Sequence, residues 1–278
     1  MRGVQHQVTA PDGVRLHVRE YGNPDGAPLL LIHGWSQSQL CWRGQGDHPL
    51  AQHYRLVCPD LRGHGQSDKP VGDAWYQNPT TWARDVAAVM HALHLDRPVL
   101  VGWSYGSLVA ALYLEEYGDA GIAGVNFVGG ACRVSPAEIG RLLGTVFVDV
   151  LPKVTAEDLA ANIEGIRHFV GACFTQPLSR EDWETVLAFN MVVPPHVRNA
   201  LLGRPIDTTA TLGQLSKPLL VSHGRADAVT LPAMADLILA SAPTARVSWY
   251  DGVGHGPFIE APERFNAELA AFAREVRG

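Results

Sequence analysis

An alternating run of apolar and polar residues reaches Thr9, and a second extends from Val14 to Tyr21, with Pro11-Asp12-Gly13 between them. Alternation on either side of a turn signal predicts a hairpin with one covered face. Beyond it the apolar runs stop alternating. They cover residues 28–32, 54–58, 99–101, 124–128, 219–222 and 246–250. Continuous apolar runs of this length suit parallel strands buried on both faces.

Helical periods separate these runs. Asn78-Pro79-Thr80-Thr81 supplies a cap residue followed by proline, and Trp82, Val86, Val89, Met90 and Leu93 follow at helical spacing. Leu108, Val109, Leu112 and Tyr113 mark another helix, and residues 231–240 and 265–276 are amphipathic. Strand–helix alternation predicts an α/β sheet with helices on both faces. The alternation breaks between Cys132 and Lys217. There the pattern predicts about four helices and no good strand. Three are expected to open on capping boxes, at Ser135-Pro136-Ala137-Glu138, Thr155-Ala156-Glu157-Asp158 and Ser179-Arg180-Glu181-Asp182, and a fourth to follow Pro194-Pro195.

Composition fits a packed fold: 46% of the 278 residues are apolar and 18% charged. The net charge of −6 comes from scattered residues with no Lys/Arg run, which argues against nucleic acid or anionic membrane as partners. The N-terminal stretch from Met1 to Val8 has no apolar core of the kind a signal peptide needs. The cysteines at 41, 58, 132 and 173 form no C-x-x-C pair. Together these features lead to the expectation of a cytoplasmic protein with reduced thiols. The uncharged stretch 98–114 approaches a membrane span in length, but Gly102, Ser104, Tyr105, Gly106 and Ser107 interrupt it.

That interruption is the most informative part of the chain. Gly102-Trp103-Ser104-Tyr105-Gly106 matches G-x-S-x-G and lies between an apolar strand and a helix. A serine on such a tight turn stands at the carboxyl end of a strand and the amino end of a helix, where backbone N–H groups lack intrahelical partners. Serine needs a base. Of 12 histidines, His255, in Gly254-His255-Gly256, follows the last predicted strand and so reaches the same sheet edge. His33, His64 and His223 occupy loops at that edge and suit structural hydrogen bonding, and His91 and His94 fit a helix face. A carboxylate must fix the base's tautomer. Asp227 directly follows a strand, and the order Ser104, Asp227, His255 is the one this elbow uses. Asp60 and Asp251 are the rivals; the first follows a different strand and the second stands four residues from His255. The oxyanion donors are expected to be the backbone N–H groups of Tyr105 and Trp35, the latter in His33-Gly34-Trp35-Ser36. Trp35, Trp103, Phe147, Phe169, Phe174, Trp183 and Phe189 are the candidates to line an apolar pocket. No His/Cys/Asp/Glu spacing suggests a metal, and no cofactor is expected.

These residues resemble the α/β-hydrolase superfamily. His33-Gly34-Trp35 matches its oxyanion loop, Asp60-Leu61-Arg62-Gly63-His64-Gly65-Gln66-Ser67 its D-x-R-G-x-G-x-S segment, and Gly224-Arg225-Ala226-Asp227 and Gly254-His255 its acid and base loops. The resemblance implies an eight-stranded, mostly parallel sheet built from residues 1–132 and 213–278, with 133–212 as a helical cap. It also implies a serine hydrolase of carboxylic esters or lactones. Ser104 stands where haloalkane dehalogenases and epoxide hydrolases use aspartate, and residues 133–216 hold no tyrosine. The H-G-G-P-G of prolyl aminopeptidases is absent, and Trp35-Ser36-Gln37-Ser38 replaces the Ser-Gly-Pro-Gly of meta-cleavage hydrolases. Capped carboxylesterases, cofactor-free haloperoxidases or perhydrolases, and acyl-homoserine-lactone hydrolases remain, beside the hydrolase-fold signal receptors that bind a protein partner. The expected partner is a neutral, apolar small molecule. Because the triad and donors fall in core loops, the cap is expected to set selectivity and contribute little to charge stabilisation.

Overall fold

The computed structural model describes residues 3–202 and 205–278. Met1 and Arg2 of the N-terminal stretch, and Gly203 and Arg204 of the expected cap, lie outside them. The strands are β1 (Val4–Thr9), β2 (Arg15–Gly22), β3 (Ala27–Ile32), β4 (Tyr54–Pro59), β5 (Val99–Trp103), β6 (Gly124–Val128), β7 (Arg133–Val134), β8 (Ile206–Asp207), β9 (Leu219–Gly224) and β10 (Ala245–Tyr250). Eight of them form one sheet in the order β1-β2-β4-β3-β5-β6-β9-β10. β1 and β2 pair antiparallel from Val4↔Glu20 to Thr9↔Arg15, around a turn in which Gly13 takes φ +89°. β2 is antiparallel to β4, and every pairing from β4 through β10 is parallel.

Burial explains why the apolar runs do not alternate. Every residue of β5, β6 and β9 is buried, and of β3 only Ala27 is not, so both faces of the central sheet are covered. At the edges the pattern loosens: β1 is exposed at four of its six positions. Asn78 caps the helix Pro79–Ala92 by accepting from Thr80 N at 3.1 Å. The helix Tyr105–Tyr117 begins at the elbow and is buried over Tyr105 to Leu114. From β3 the chain passes to β4 on one side, whereas from β5 it passes to β6 on the other. The loops leaving β3 and β5 therefore diverge, and a crevice opens between them at the carboxyl edge.

Between β6 and β9 lie the helices Val146–Val154, Leu159–Ala172, Arg180–Met191 and Pro195–Leu202, with the short helix Thr209–Gly213 just before β9. Two of the three predicted helix starts need correction. Ser135 opens only a 3-10 turn, Pro136–Glu138, and caps nothing with its side chain. Thr155 ends the helix Val146–Val154, and it is Asp158 that caps the next one, accepting from Ala161 N at 2.8 Å. Ser179 starts its helix as expected, with Ser179 Oγ accepting from Asp182 N at 3.1 Å. Among its described residues the stretch holds only a short strand pair. β7 and β8 form a two-residue antiparallel ladder, Arg133↔Asp207 and Val134↔Ile206. Two residues carry no readable alternation. All four cysteines are free and buried. No helix among the described residues is long and apolar enough to cross a membrane.

Candidate active site

Ser104 sits between β5 and the helix Tyr105–Tyr117 with φ 54° and ψ −118°. A non-glycine residue here is strained, and such strain persists only where its surroundings enforce it. They do so by close approach. A Cβ at Gly102 would stand 2.7 Å from the backbone of Gly106, and one at Gly106 would stand 2.3 Å from Ile32 O, so only glycine fits on either side. Ser104 N donates to Val128 O at 3.0 Å, and Ser107 Oγ lies 2.6 Å from Ser104 O. The loop after β3 abuts the elbow: a Cβ at Gly34 would lie 3.2 Å from Ser104 Cβ. Trp35 follows Gly34 in that loop, and Tyr105 follows the serine in the chain.

His255 is brought to the same place from β10. Trp103, next to the serine, donates its indole N–H to His255 O at 2.8 Å, and the two rings lie 5.6 Å apart. Gly129 packs so closely that a Cβ there would be 2.9 Å from His255 Nδ1. The imidazole Nδ1 stands 2.8 Å from Asp227 Oδ2, and both side chains are almost fully buried. Asp227 also accepts from Val229 N at 2.8 Å, Thr230 N at 3.0 Å and Thr230 Oγ1 at 3.0 Å. Burial pushes its carboxyl pKa up. The charge and hydrogen bond of His255, the neighbouring His223 and the Val229 N–H outweigh this, and the carboxyl lies below its ordinary value.

The rival acids are engaged elsewhere. Asp60 accepts from Gln39 N at 2.8 Å and Gln66 N at 3.0 Å and meets His17 Nδ1 at 2.9 Å, bracing loops. Asp251 is exposed and pairs with Arg225. The loop histidines have structural partners. His33 Nδ1 donates to Gly34 O at 2.8 Å while its Nε2 accepts from Leu61 N at 3.0 Å. His64 Nδ1 donates to Arg62 O at 2.9 Å and its Nε2 accepts from Ser36 N at 3.2 Å. His223 Nε2 donates to Thr230 O at 2.9 Å. These rings clamp the β3 loop and the acid loop.

A pH dependence of stability follows. Burial, aided by His33, pushes the His64 pKa from 6.5 down to about 3. Between these values the unfolded chain takes up a proton that the folded chain refuses, so stability falls as pH drops through this window. His33 and His223 are shifted in the same direction by burial. His64→Gln is expected to flatten the acid limb of a urea-unfolding series between these values, at a cost of about 1–3 kcal/mol at neutral pH for the altered hydrogen bonds. An unchanged slope would mean that His64 does not govern it.

Ser104 opens into a cavity of ≈ 120 Å³. Trp35, Tyr105, Phe147 and Phe169 contribute its aromatic wall, and Leu108, Ile139, Leu143, Leu151, Leu202 and Val229 much of the rest. None of the lining residues is charged. Phe169 meets Trp35 edge-on at 5.1 Å. Four expected pocket residues lie elsewhere. Trp103 is core, packed on Phe258 at 4.9 Å. Phe174 and Trp183 flank a separate surface groove, and Phe189 lines another cavity beside Leu40 and Cys41. Helical spacing shows that a residue is apolar but not which side of a two-sided helix meets the cavity. Sequence reasoning also missed Thr230 and Glu260. The Asp-x-x-Thr spacing was a signal for the first, as a short side chain returning to a nearby acid. Glu260 accepts from Gly254 N at 2.8 Å and Thr175 N at 2.7 Å, steadying the His255 loop, and nothing in its own context announced it. Among the described residues no group of three or more His, Cys, Asp or Glu could hold a metal ion.

Comparison with known proteins identifies the family. A profile of the alpha/beta hydrolase family matches residues 29–268. A solved structure from Burkholderia cenocepacia, provisionally named an aryl esterase, shares 36% identity and superposes with a TM-score of 0.94, covering 98% of this chain and 99% of that one. An esterase of Rhodococcus sp. ECU1013 shares 33% identity with a TM-score of 0.91, covering 99% and 100% of the two chains. A non-heme chloroperoxidase of Streptomyces lividans is 28% identical, with 96% of this chain and 99% of that protein covered. The chain therefore belongs to the alpha/beta hydrolase family, in its esterase- and haloperoxidase-like group.

Proposed function

We propose that the protein is a serine esterase that cleaves neutral carboxylic esters with apolar acyl groups through an acyl-enzyme. The observation that carries this is the strained Ser104 opening into an uncharged apolar cavity beside a buried His255–Asp227 pair. In this reading His255 Nε2 takes the Ser104 proton as Oγ attacks the carbonyl carbon. The carbonyl oxygen becomes an oxyanion facing the backbone N–H groups of Trp35 and Tyr105. Collapse expels the alcohol, protonated by His255. A water, activated by the same imidazole, then releases the acid and restores the serine. Asp227 holds Nδ1–H toward itself throughout. Residues 133–212 act as the cap that shapes the acyl site. The same acyl-enzyme would yield a peracid if hydrogen peroxide replaced water, a second reading supported by the chloroperoxidase relative.

The test is a panel of p-nitrophenyl esters of graded chain length beside lactones of matched length, each with and without peroxide. Sustained Ser104-dependent ester turnover is expected. Release of one equivalent and then silence would favour a receptor, and faster lactone turnover would move the assignment to lactones.

Cap selectivity gives a further expectation. Phe147 is half-buried and lines the cavity, so Phe147→Ala should keep the melting temperature near the parental value. It should shift the preferred acyl chain upward, with about 1–3 kcal/mol of discrimination between esters differing by a few methylenes. Phe169 is buried against Trp35, so its truncation should also destabilise by about 3–5 kcal/mol. Phe174→Ala, Trp183→Ala and Phe189→Ala should leave the chain-length profile unchanged. A profile that moves with these three, but not with Phe147→Ala, would relocate the acyl site.

A further inference from the structure

Arg198, in the helix Pro195–Leu202, is fully buried. Among the described residues no carboxylate pairs with it. Its guanidinium is satisfied by neutral acceptors instead. Nη1 donates to Val154 O at 2.8 Å and Asn162 Oδ1 at 2.9 Å, and Nη2 to Asn190 O at 2.8 Å. These three acceptors belong to the other helices of the cap segment. The remaining bond leaves the cap: Nε donates to Ser36 Oγ at 3.0 Å. The backbone of Arg198 reaches the same loop, its carbonyl accepting from Trp35 Nε1 at 3.4 Å.

Burying an unpaired cation is costly, and a leucine or methionine would fill such a place more cheaply. Burial pushes the Arg198 pKa only down to about 10, so the group stays charged at neutral pH. What it holds is a loop that needs holding. Ser36 takes φ 60°, a left-handed conformation that a serine adopts at a cost. It is pinned on one side by His64, which accepts its N–H, and on the other by Arg198, which binds its hydroxyl. Trp35, whose own N–H lies one peptide further back, precedes it directly.

We propose that Arg198 is a positioning residue for the oxyanion hole, fastening Ser36 so that the neighbouring Trp35 N–H is aimed at the oxygen that becomes negative. This rests on the esterase reading of the site and deepens it. It also departs from the expectation that the cap contributes little to charge stabilisation, because a cap side chain sets the geometry of a donor in the core loop. An interaction that improves donor alignment acts in the transition state and hardly in the ground state, so its loss falls on kcat and not on KM.

The experiment compares Ser36→Ala, Arg198→Met and the double variant on a p-nitrophenyl ester, with Ser104→Ala alongside. Melting temperature, acyl-chain profile and affinity for a trifluoromethyl ketone are measured for each. Ser36→Ala removes only the acceptor and leaves Arg198 its three cap partners. It is expected to lower kcat about ten- to hundredfold, less than loss of an oxyanion donor outright. KM should stay within about threefold, the chain-length profile should be unchanged, and affinity for the ketone should fall in parallel with kcat. Arg198→Met should show the same split, and the double variant should be no slower than the worse single variant. If Arg198→Met fails to fold, Ser36→Ala still decides. A parent with Ser104-dependent turnover, and a Ser36→Ala variant that keeps parental kcat and ketone affinity, would overturn the positioning role alone. A parent without such turnover would remove the esterase reading and this role with it.

Discussion

Ser104→Ala is expected to lower kcat for ester hydrolysis by about a millionfold while leaving the fold intact. The side chain supplies the atom that forms the bond, and alanine leaves no nucleophile at the elbow; Tyr105, the next residue, has its ring edge-on to Trp82 at 5.8 Å. The substitution should not unfold the chain, because alanine inherits the same φ 54°. Ser104→Gly sharpens the test. It releases strain of order 1–3 kcal/mol, offset by about 0.5–1 kcal/mol of added unfolded-state entropy. An equally inactive protein with a melting temperature at or above the parental one is expected. Phenylmethylsulfonyl fluoride should inactivate the parent and label the peptide containing Ser104. An alanine variant that retains more than a few per cent of parental activity, in a preparation free of contaminating esterase, would show that Ser104 is not the nucleophile.

Asp227→Asn should cost about 10⁴ in kcat. The carboxylate uses one oxygen for Val229 N and Thr230 N, and the other for Thr230 Oγ1 and His255 Nδ1. Asparagine can keep its oxygen on the two backbone donors. Its amide nitrogen then faces the imidazole and accepts nothing, so the ring turns its proton to Nε2 and loses the lone pair that must take the serine proton. Asp227 also shapes the acid side of stability. Its folded pKa is lowered below 3.8, so it stabilises the fold above that value and the contribution is lost as pH falls through the folded pKa. Kinetic traces with melting curves from neutral to acid pH check both parts. A larger kcat loss from Asp60→Asn or Asp251→Asn than from Asp227→Asn would reassign the carboxylate.

Much of the sheet was legible because burial on both faces leaves a plain mark. Residues 99–101 read as a strand, and the structure extends it only to Trp103. The elbow was legible because two glycines and a serine between strand and helix answer to one backbone geometry. The helical stretch between β6 and β9 was less so. In Thr155-Ala156-Glu157-Asp158 both Thr155 and Asp158 are competent cap residues, and only the packing of one helix against the next decides that the first ends a helix and the second begins one. Arg198 was invisible for a different reason. An arginine in an amphipathic helix normally reads as exposed, and no local pattern reveals that its acceptors come from four separate segments.

The short ladder between β7 and β8 has a consequence for how such chains diversify. The excursion between them leaves and returns at one point, with Arg133 and Asp207 paired at 2.8 Å and Thr208 N donating to Cys132 O at 2.9 Å. The parallel pairing of β6 with β9 is thereby insulated from the length of the excursion, and doubling a flexible loop adds only about 0.6 kcal/mol of closure entropy. Segments cut at this junction should therefore be exchangeable between relatives without disturbing sheet register. The exchange is less free than the junction suggests. A transplanted segment must bring its own fasteners, an arginine for Ser36 and a carbonyl such as Cys173 O for the His255 N–H, 2.8 Å away here. A graft that lacks them would fold, bind ester and turn it over slowly, so in a series of chimeras lost rate would mark missing fasteners where lost binding would mark a misshapen pocket.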